Sequence, residues 1–167
     1  AVNATTTAPT TLCGAETFEN MPANSSSYST LNWTGDNGID WSAVKSRSDQ
    51  TLNGRAIAIA LLRDGAAGSM SSSTFANGIG SITASTMRVF GGGSGIINVL
   101  VNGNVVGTLP YSDAVQTTTI SNIDIEGNIE IKIIRAGQEE DRVIIDDLTW
   151  TCYTTLSIPE ENLKNLT

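Results

Sequence analysis

Between Cys13 and Tyr153 the apolar positions come in short alternating runs, and the runs are separated by clusters of Gly, Asn and Ser. Ile129, Ile131 and Ile133 alternate with Glu130 and Lys132, so one side of that segment is expected to meet a core and the other water. Ile96 to Leu109 reads IINVLVNGNVVGTL, with Asn102-Gly103 set between two Val-rich runs. That dipeptide supplies the two left-handed residues of a tight hairpin turn. Ala56 to Leu62, Met87 to Phe90, Val115 to Ile120 and Arg142 to Trp150 read as further strands. No window carries a 3.6-residue stripe of useful length. Roughly six to nine short strands with frequent turns predict an all-β fold, an antiparallel β-sandwich of jelly-roll type.

The pattern fades at both ends. Residues 1–12, AVNATTTAPTTL, have the composition of an extended linker, and residues 154–167 read as a second tether. A single module over 13–153 is therefore expected. The start lacks the charged-then-apolar order of a signal peptide, so the chain is expected to be a mature piece.

Charge and composition narrow the chemistry. The 167 residues hold 9 Lys and Arg against 17 Asp and Glu, for a formal net charge of -8. An acidic protein lacks the basic face that nucleic acid or an anionic membrane requires, so neither is an expected partner. With 0 His, the chain cannot build a Ser-His-Asp triad, a Cys-His pair or a His-ligated zinc site. What stays open to an enzyme is a carboxylate pair such as Glu130 and Asp147, which no sequence feature selects, or Tyr and Lys acting as base and acid. Cys13 and Cys152 flank the patterned region. Read as a disulfide, they imply an oxidising compartment and a stabilisation of about 4–5 kcal/mol; the alternative is two separate buried thiols.

Three groups of side chains stand out. Glu19 lies in the first strand, read as Glu16 to Asn20, and Asp146 and Asp147 interrupt the apolar run of the last. A buried carboxylate needs compensation, and without His or nearby Lys and Arg a Ca²⁺ ion supplies it, so a structural calcium at Glu19, Asp146 and Asp147 is expected. The alternative turns the aspartates to solvent or has them cap a bend, with Glu19 beyond the strand end. Next, Asn32 to Asp49 (NWTGDNGIDWSAVKSRSD) reads as a Gly-punctuated loop with Trp33 and Trp41 among polar neighbours. An indole beside Asp36 and Arg47 suits a sugar, whose C–H face stacks while its hydroxyls need donors and acceptors. The plainer reading closes the sandwich with these tryptophans and uses Asp36 to support the Asn37-Gly38 turn. Third, Arg47, Arg55, Arg63, Arg88 and Arg135 are dispersed, yet a sheet face could gather some of them to hold a carboxylated or sulfated glycan. Gly91 to Gly95 lacks the Lys-Ser/Thr of a phosphate loop and reads as a flexible connection.

ETFEN at 16–20, TGDNGIDW at 34–41 with the following Arg47, the VNG hairpin, EGNIEIKI at 126–133 and IIDDLTW at 144–150 together resemble secreted jelly-roll modules of Bacteroidetes, found beside polysaccharide-degrading enzymes. SIPEENLKNLT at 157–167 resembles the lead-in to a type IX secretion sorting domain. The resemblance implies a secreted or cell-surface carbohydrate-binding module, not an enzyme, acting as a monomer tethered to a catalytic domain. Its partner would be a polysaccharide, acidic or sulfated. Ligand residues would be Trp33, Asp36, Trp41, Arg47 and Arg88, with calcium as a structural ion near Glu19 and Asp146 or Asp147. The Gln-x-His and Tyr-Lys strands of jelly-roll alginate lyases have no counterpart. The runner-up is an adhesion or spacer domain without a sugar site, and a glycan-cleaving enzyme comes third.

Overall fold

The computed structural model describes residues 11–155. Among the described residues there is no helix, and the chain runs through β1 (Leu12–Glu16), β2 (Ser29–Thr34), β3 (Asp40–Thr51), β4 (Arg55–Ala60), β5 (Leu62–Arg63), β6 (Ala66–Ala67), β7 (Ser69–Ser72), β8 (Ile82–Val89), β9 (Gly95–Val101), β10 (Asn104–Tyr111), β11 (Gln116–Ile120), β12 (Ile131–Arg135) and β13 (Arg142–Thr151). The main ladder has the order β10-β9-β12-β7-β3-β4-β13-β8-β11, with β1 added to β13 and β2 to β3. Neighbours pair antiparallel throughout this ladder. The result is the all-β, antiparallel jelly-roll sandwich that the alternation predicts. The first strand, expected over Glu16 to Asn20, instead runs from Leu12 to Glu16, so Glu19 lies beyond its end. The other residues of the two expected tethers lie outside the described ones, apart from Thr11, Thr154 and Thr155, and so does the SIPEENLKNLT segment.

β3 makes the sandwich continuous. Its first half, Trp41 to Val44, pairs with β7, and its second half, from Ser46 on, pairs with β4. Lys45 lies between them with φ 53°, the left-handed conformation that turns the strand from one layer into the other. At the far side β10 returns against β8, where Thr86 Oγ1 donates to the Pro110 carbonyl at 2.5 Å and Arg88 N to the Ser112 carbonyl at 2.6 Å. The two layers thus nearly close into a barrel. Asn102 and Gly103 (φ 50° and 81°) form the β9–β10 hairpin turn expected of them.

Alternation assigns the core. Ile57, Ile59, Val143 and Ile145 from one layer meet Val99, Val101, Ile131 and Ile133 from the other. A smaller cluster of Ala56, Ala58 and Ile144, flanked by Leu52, Met87 and Val89, lies on the opposite side of β4 and β13. Cys13 and Cys152 are joined by a disulfide, their Cα atoms 4.8 Å apart, across a separation of 139 residues. It fastens β1 to the end of β13, closing the alternative of two free thiols.

Candidate functional site

The stretch from Asn32 to Asp49 is not a loop. Most of it is strand, β2 and β3, and Trp33 and Trp41 are direct cross-strand partners. Their exposures are 7% and 2%. The rings lie 6.4 Å apart at 14° to each other, and Trp41 continues to Trp150 at 6.5 Å. The expectation of indoles presented to a sugar is therefore corrected. The polar residues flanking each Trp in sequence occupy the other side of the strand and say nothing of the side the indole faces. Both residues border a groove of about 560 Å³ whose other lining residues are Asn32, Thr34, Asp40, Ser42 and Ser71 to Ser73, but the indoles themselves offer it little surface.

Asp36 is likewise structural. Its Oδ2 accepts from Thr17 N at 2.8 Å and Thr17 Oγ1 at 2.6 Å, and its Oδ1 from Asn20 Nδ2 at 2.9 Å. The T-G-D-N-G turn thus clamps the chain leaving β1. A Cβ at Gly35 would come 1.7 Å from Glu16 Oε2, so only glycine permits that approach. Glu16 itself is buried; its Oε1 accepts from Phe18 N at 2.7 Å, Oε2 has no hydrogen-bond partner, and burial pushes its carboxyl pKa up.

The three expected calcium ligands gather around the β3–β4 turn. Asp146 is buried on the Ile144 side of β13, away from the main core. Its Oδ2 accepts from Asn53 N at 2.9 Å and its Oδ1 from Asp147 N at 2.8 Å. Asp147, with φ 49°, occupies a bulge between Asp146 and Thr149, so the ladder does not force either aspartate into the core. Asp147 Oδ2 accepts from Asn53 Nδ2 at 2.5 Å, and Glu19 Oε1 from Arg55 N at 2.7 Å. Burial, then the charges of Asp147 and Glu19, raise the pKa of Asp146. Arg55 does not answer that charge, because its guanidinium donates to the carbonyls of Glu19, Met21 and Pro22 and to Asn24 Oδ1. The excess negative charge suits a hard cation, but the spacing does not: among the described residues no three acidic side chains converge as a metal site.

Arg47 takes a different setting. Along the ladder it forms a row with Ala58, Ile144 and Met87, over the smaller apolar cluster. Nε donates to Asp49 Oδ1 at 2.6 Å and Nη2 to Asp49 Oδ2, a bidentate pair. The Arg47 hydrogen bond holds the Asp49 carboxyl down to about 2. The Arg47 guanidinium carbon also lies 5.0 Å from the ring centre of Phe90 and 5.5 Å from that of Tyr28, and Arg63 lies 4.5 Å from the same Tyr28 ring. Arg63, Tyr28, Arg47 and Phe90 are thus linked as alternating cations and rings, four residues from distant parts of the chain. Arg88 is not part of the stack; its Nη1 donates to the Phe90 carbonyl at 2.8 Å and so supports the ring's backbone. Tyr28, Arg63 as a member of this stack, and Phe90 were not singled out from sequence.

No family model matches the chain, and neither does any curated protein. Solved structures do. The xylan-binding domain CBM22-1 of Paenibacillus barcinonensis Xyn10C aligns with TM-score 0.53 and 10% identity over 86% of this chain and 96% of that one. A CBM36 carbohydrate-binding module in complex with calcium and xylotriose aligns with TM-score 0.52 and 15% identity over 83% and 98%. The CBM22-1–GH10 modules of Clostridium thermocellum Xyn10B, complexed with xylohexaose, align with TM-score 0.54 and 17% identity over 86% of this chain and 29% of that one. The class defined by the architecture is the jelly-roll β-sandwich found in carbohydrate-binding modules.

Proposed function

We propose that this domain is a non-catalytic carbohydrate-binding module of a secreted or cell-surface protein. It would hold a tethered catalytic domain on an acidic or sulfated polysaccharide by raising the local concentration of that domain. The observation that carries the reading is the stack of Arg63, Tyr28, Arg47 and Phe90 on one face of the sandwich. Aromatic faces paired with guanidinium groups can meet the C–H face and the anionic groups of such a glycan. The disulfide supports an oxidising location. Affinity electrophoresis of the domain in gels containing neutral, carboxylated or sulfated polysaccharides tests the reading. Retardation in the charged gels without release of reducing ends is expected. Migration unaffected by every glycan would favour the spacer reading, and release of reducing ends would make it an enzyme.

A structural Ca²⁺ held by Glu19, Asp146 and Asp147 is proposed with it, supported by the burial of Asp146 close to the two other carboxylates, which raises its pKa. Binding would require Glu19 and Asp147 to turn from Arg55 N and the Asn53 side chain onto one ion. At a hundredfold excess over its dissociation constant, such an ion would add about 2.7 kcal/mol. A melting midpoint that is higher in calcium than in chelator is expected, and an unchanged midpoint counts against the ion.

A further inference from the structure

Phe90 is out of place by ordinary packing rules. It is 51% exposed, the ring is large and apolar, and its backbone has φ 63°, a conformation that bulky residues rarely adopt. Such strain persists only where surrounding contacts impose it, and those contacts are visible. Arg88 holds the Phe90 carbonyl from one side. Beneath the ring, Asp49 fixes the Arg47 guanidinium through two hydrogen bonds. Gly91 and Gly93 next to it have no atoms near enough to touch an added Cβ, so the ring stands beside open space. A firmly seated, half-exposed aromatic at a sheet face is a surface for stacking.

The two arginines of the stack differ in what they have left to offer. Arg47 has committed a bidentate edge to Asp49, a geometry that a ligand carboxylate would otherwise take. Arg63 meets Asp64 only at 3.7 Å; its side chain is 40% exposed and that of Asp64 73%. Pairs so loose and so wet contribute little and give way to a better-placed anion. Phe90 and Arg63 are separated by Tyr28 and Arg47, so an oligosaccharide, not a single sugar, would engage both ends.

Resting on the reading of the domain as a glycan binder, we infer that Phe90 is its sugar-stacking residue and Arg63 its charge-selecting residue. Arg47 is a positioning residue that seats the two rings. Phe90 supplies affinity for any pyranose chain; Arg63 adds preference for carboxylated or sulfated ones.

Calorimetric titration with oligomers of xylose, of galacturonic acid and of a sulfated galactan tests this on the intact domain. Phe90→Ala is expected to weaken binding of every oligomer bound by the wild type about tenfold or more, and Phe90→Trp to preserve it. Arg63→Gln should weaken the acidic oligomers about tenfold and leave xylose oligomers unchanged. Lys132→Gln, which removes the same charge from the other layer, should bind as wild type. Wild-type affinity in Phe90→Ala, or equal losses in Arg63→Gln and Lys132→Gln, would overturn the inference while leaving the glycan-binding reading intact. If the wild type binds none of the three, that reading falls and takes the inference with it. Phe90→Ala with a lowered melting midpoint but full affinity would make the ring mere cover for the apolar cluster beneath.

Discussion

Replacing Trp41 by Ala separates a buried indole from a sugar platform, because the two roles predict opposite outcomes. Trp41 is 2% exposed and packs between Trp33 and Trp150, with ring centres 6.4 and 6.5 Å away. Truncating a buried Trp removes its transfer free energy and leaves a cavity between the two remaining indoles, a loss of about 3–5 kcal/mol. For a domain of this size each kcal/mol lowers the melting midpoint by about 2–4 °C, so a fall of roughly 6–20 °C is expected. Thermal unfolding followed by circular dichroism at neutral pH measures it directly. Affinity for glycan, measured well below the lowered midpoint, should stay close to wild type, since the ring touches none of the stack. A variant that melts within about 2 °C of wild type yet no longer binds glycan would refute the assignment of Trp41 to the core.

Reduction of the Cys13–Cys152 bridge, or Cys13→Ser with Cys152→Ser, should lower stability by up to about 4–5 kcal/mol, since the bond closes a separation of 139 residues. A denaturant midpoint insensitive to reductant would show that the bridge constrains nothing. Acidity gives another handle. Burial raises the carboxyl pKa of both Glu16 and Asp146. A carboxyl whose folded pKa exceeds its unfolded one binds its proton more readily when folded, so stability should rise as pH falls from neutral towards about 5. Asp49, lowered to about 2, acts in the other sense: its contribution is present above the ordinary carboxylate range and is lost as pH falls towards about 2. A melting midpoint that declines steadily from pH 7 downward would contradict the first part. Saturating calcium should suppress the rise if the ion is held by Asp146.

The strands that carry β-branched alternation were legible without coordinates: β9, β10, β12 and β13 follow from the spacing of Val and Ile and from Asn102-Gly103. β3 was not. Its buried positions include Ser46 and Ser48, so the longest strand lacks the apolar rhythm that would announce it. The tryptophans misled for a related reason. Neighbours in sequence along a strand point to the opposite side, whereas the partner that defines the environment of Trp33 is Trp41 across the ladder.

Composition alone removed imidazole chemistry, and alternation alone specified an all-β sandwich, because both depend only on which residues occur and at what local spacing. The disulfide was settled, and the cation–aromatic stack became visible, only once the tertiary structure brought Tyr28, Arg63 and Phe90, from segments around the ladder, to Arg47 on β3. Those contacts are long-range and have no local signature; the register of β3 fixes the side on which Arg47 stands, and a one-residue slip would send it to the other face.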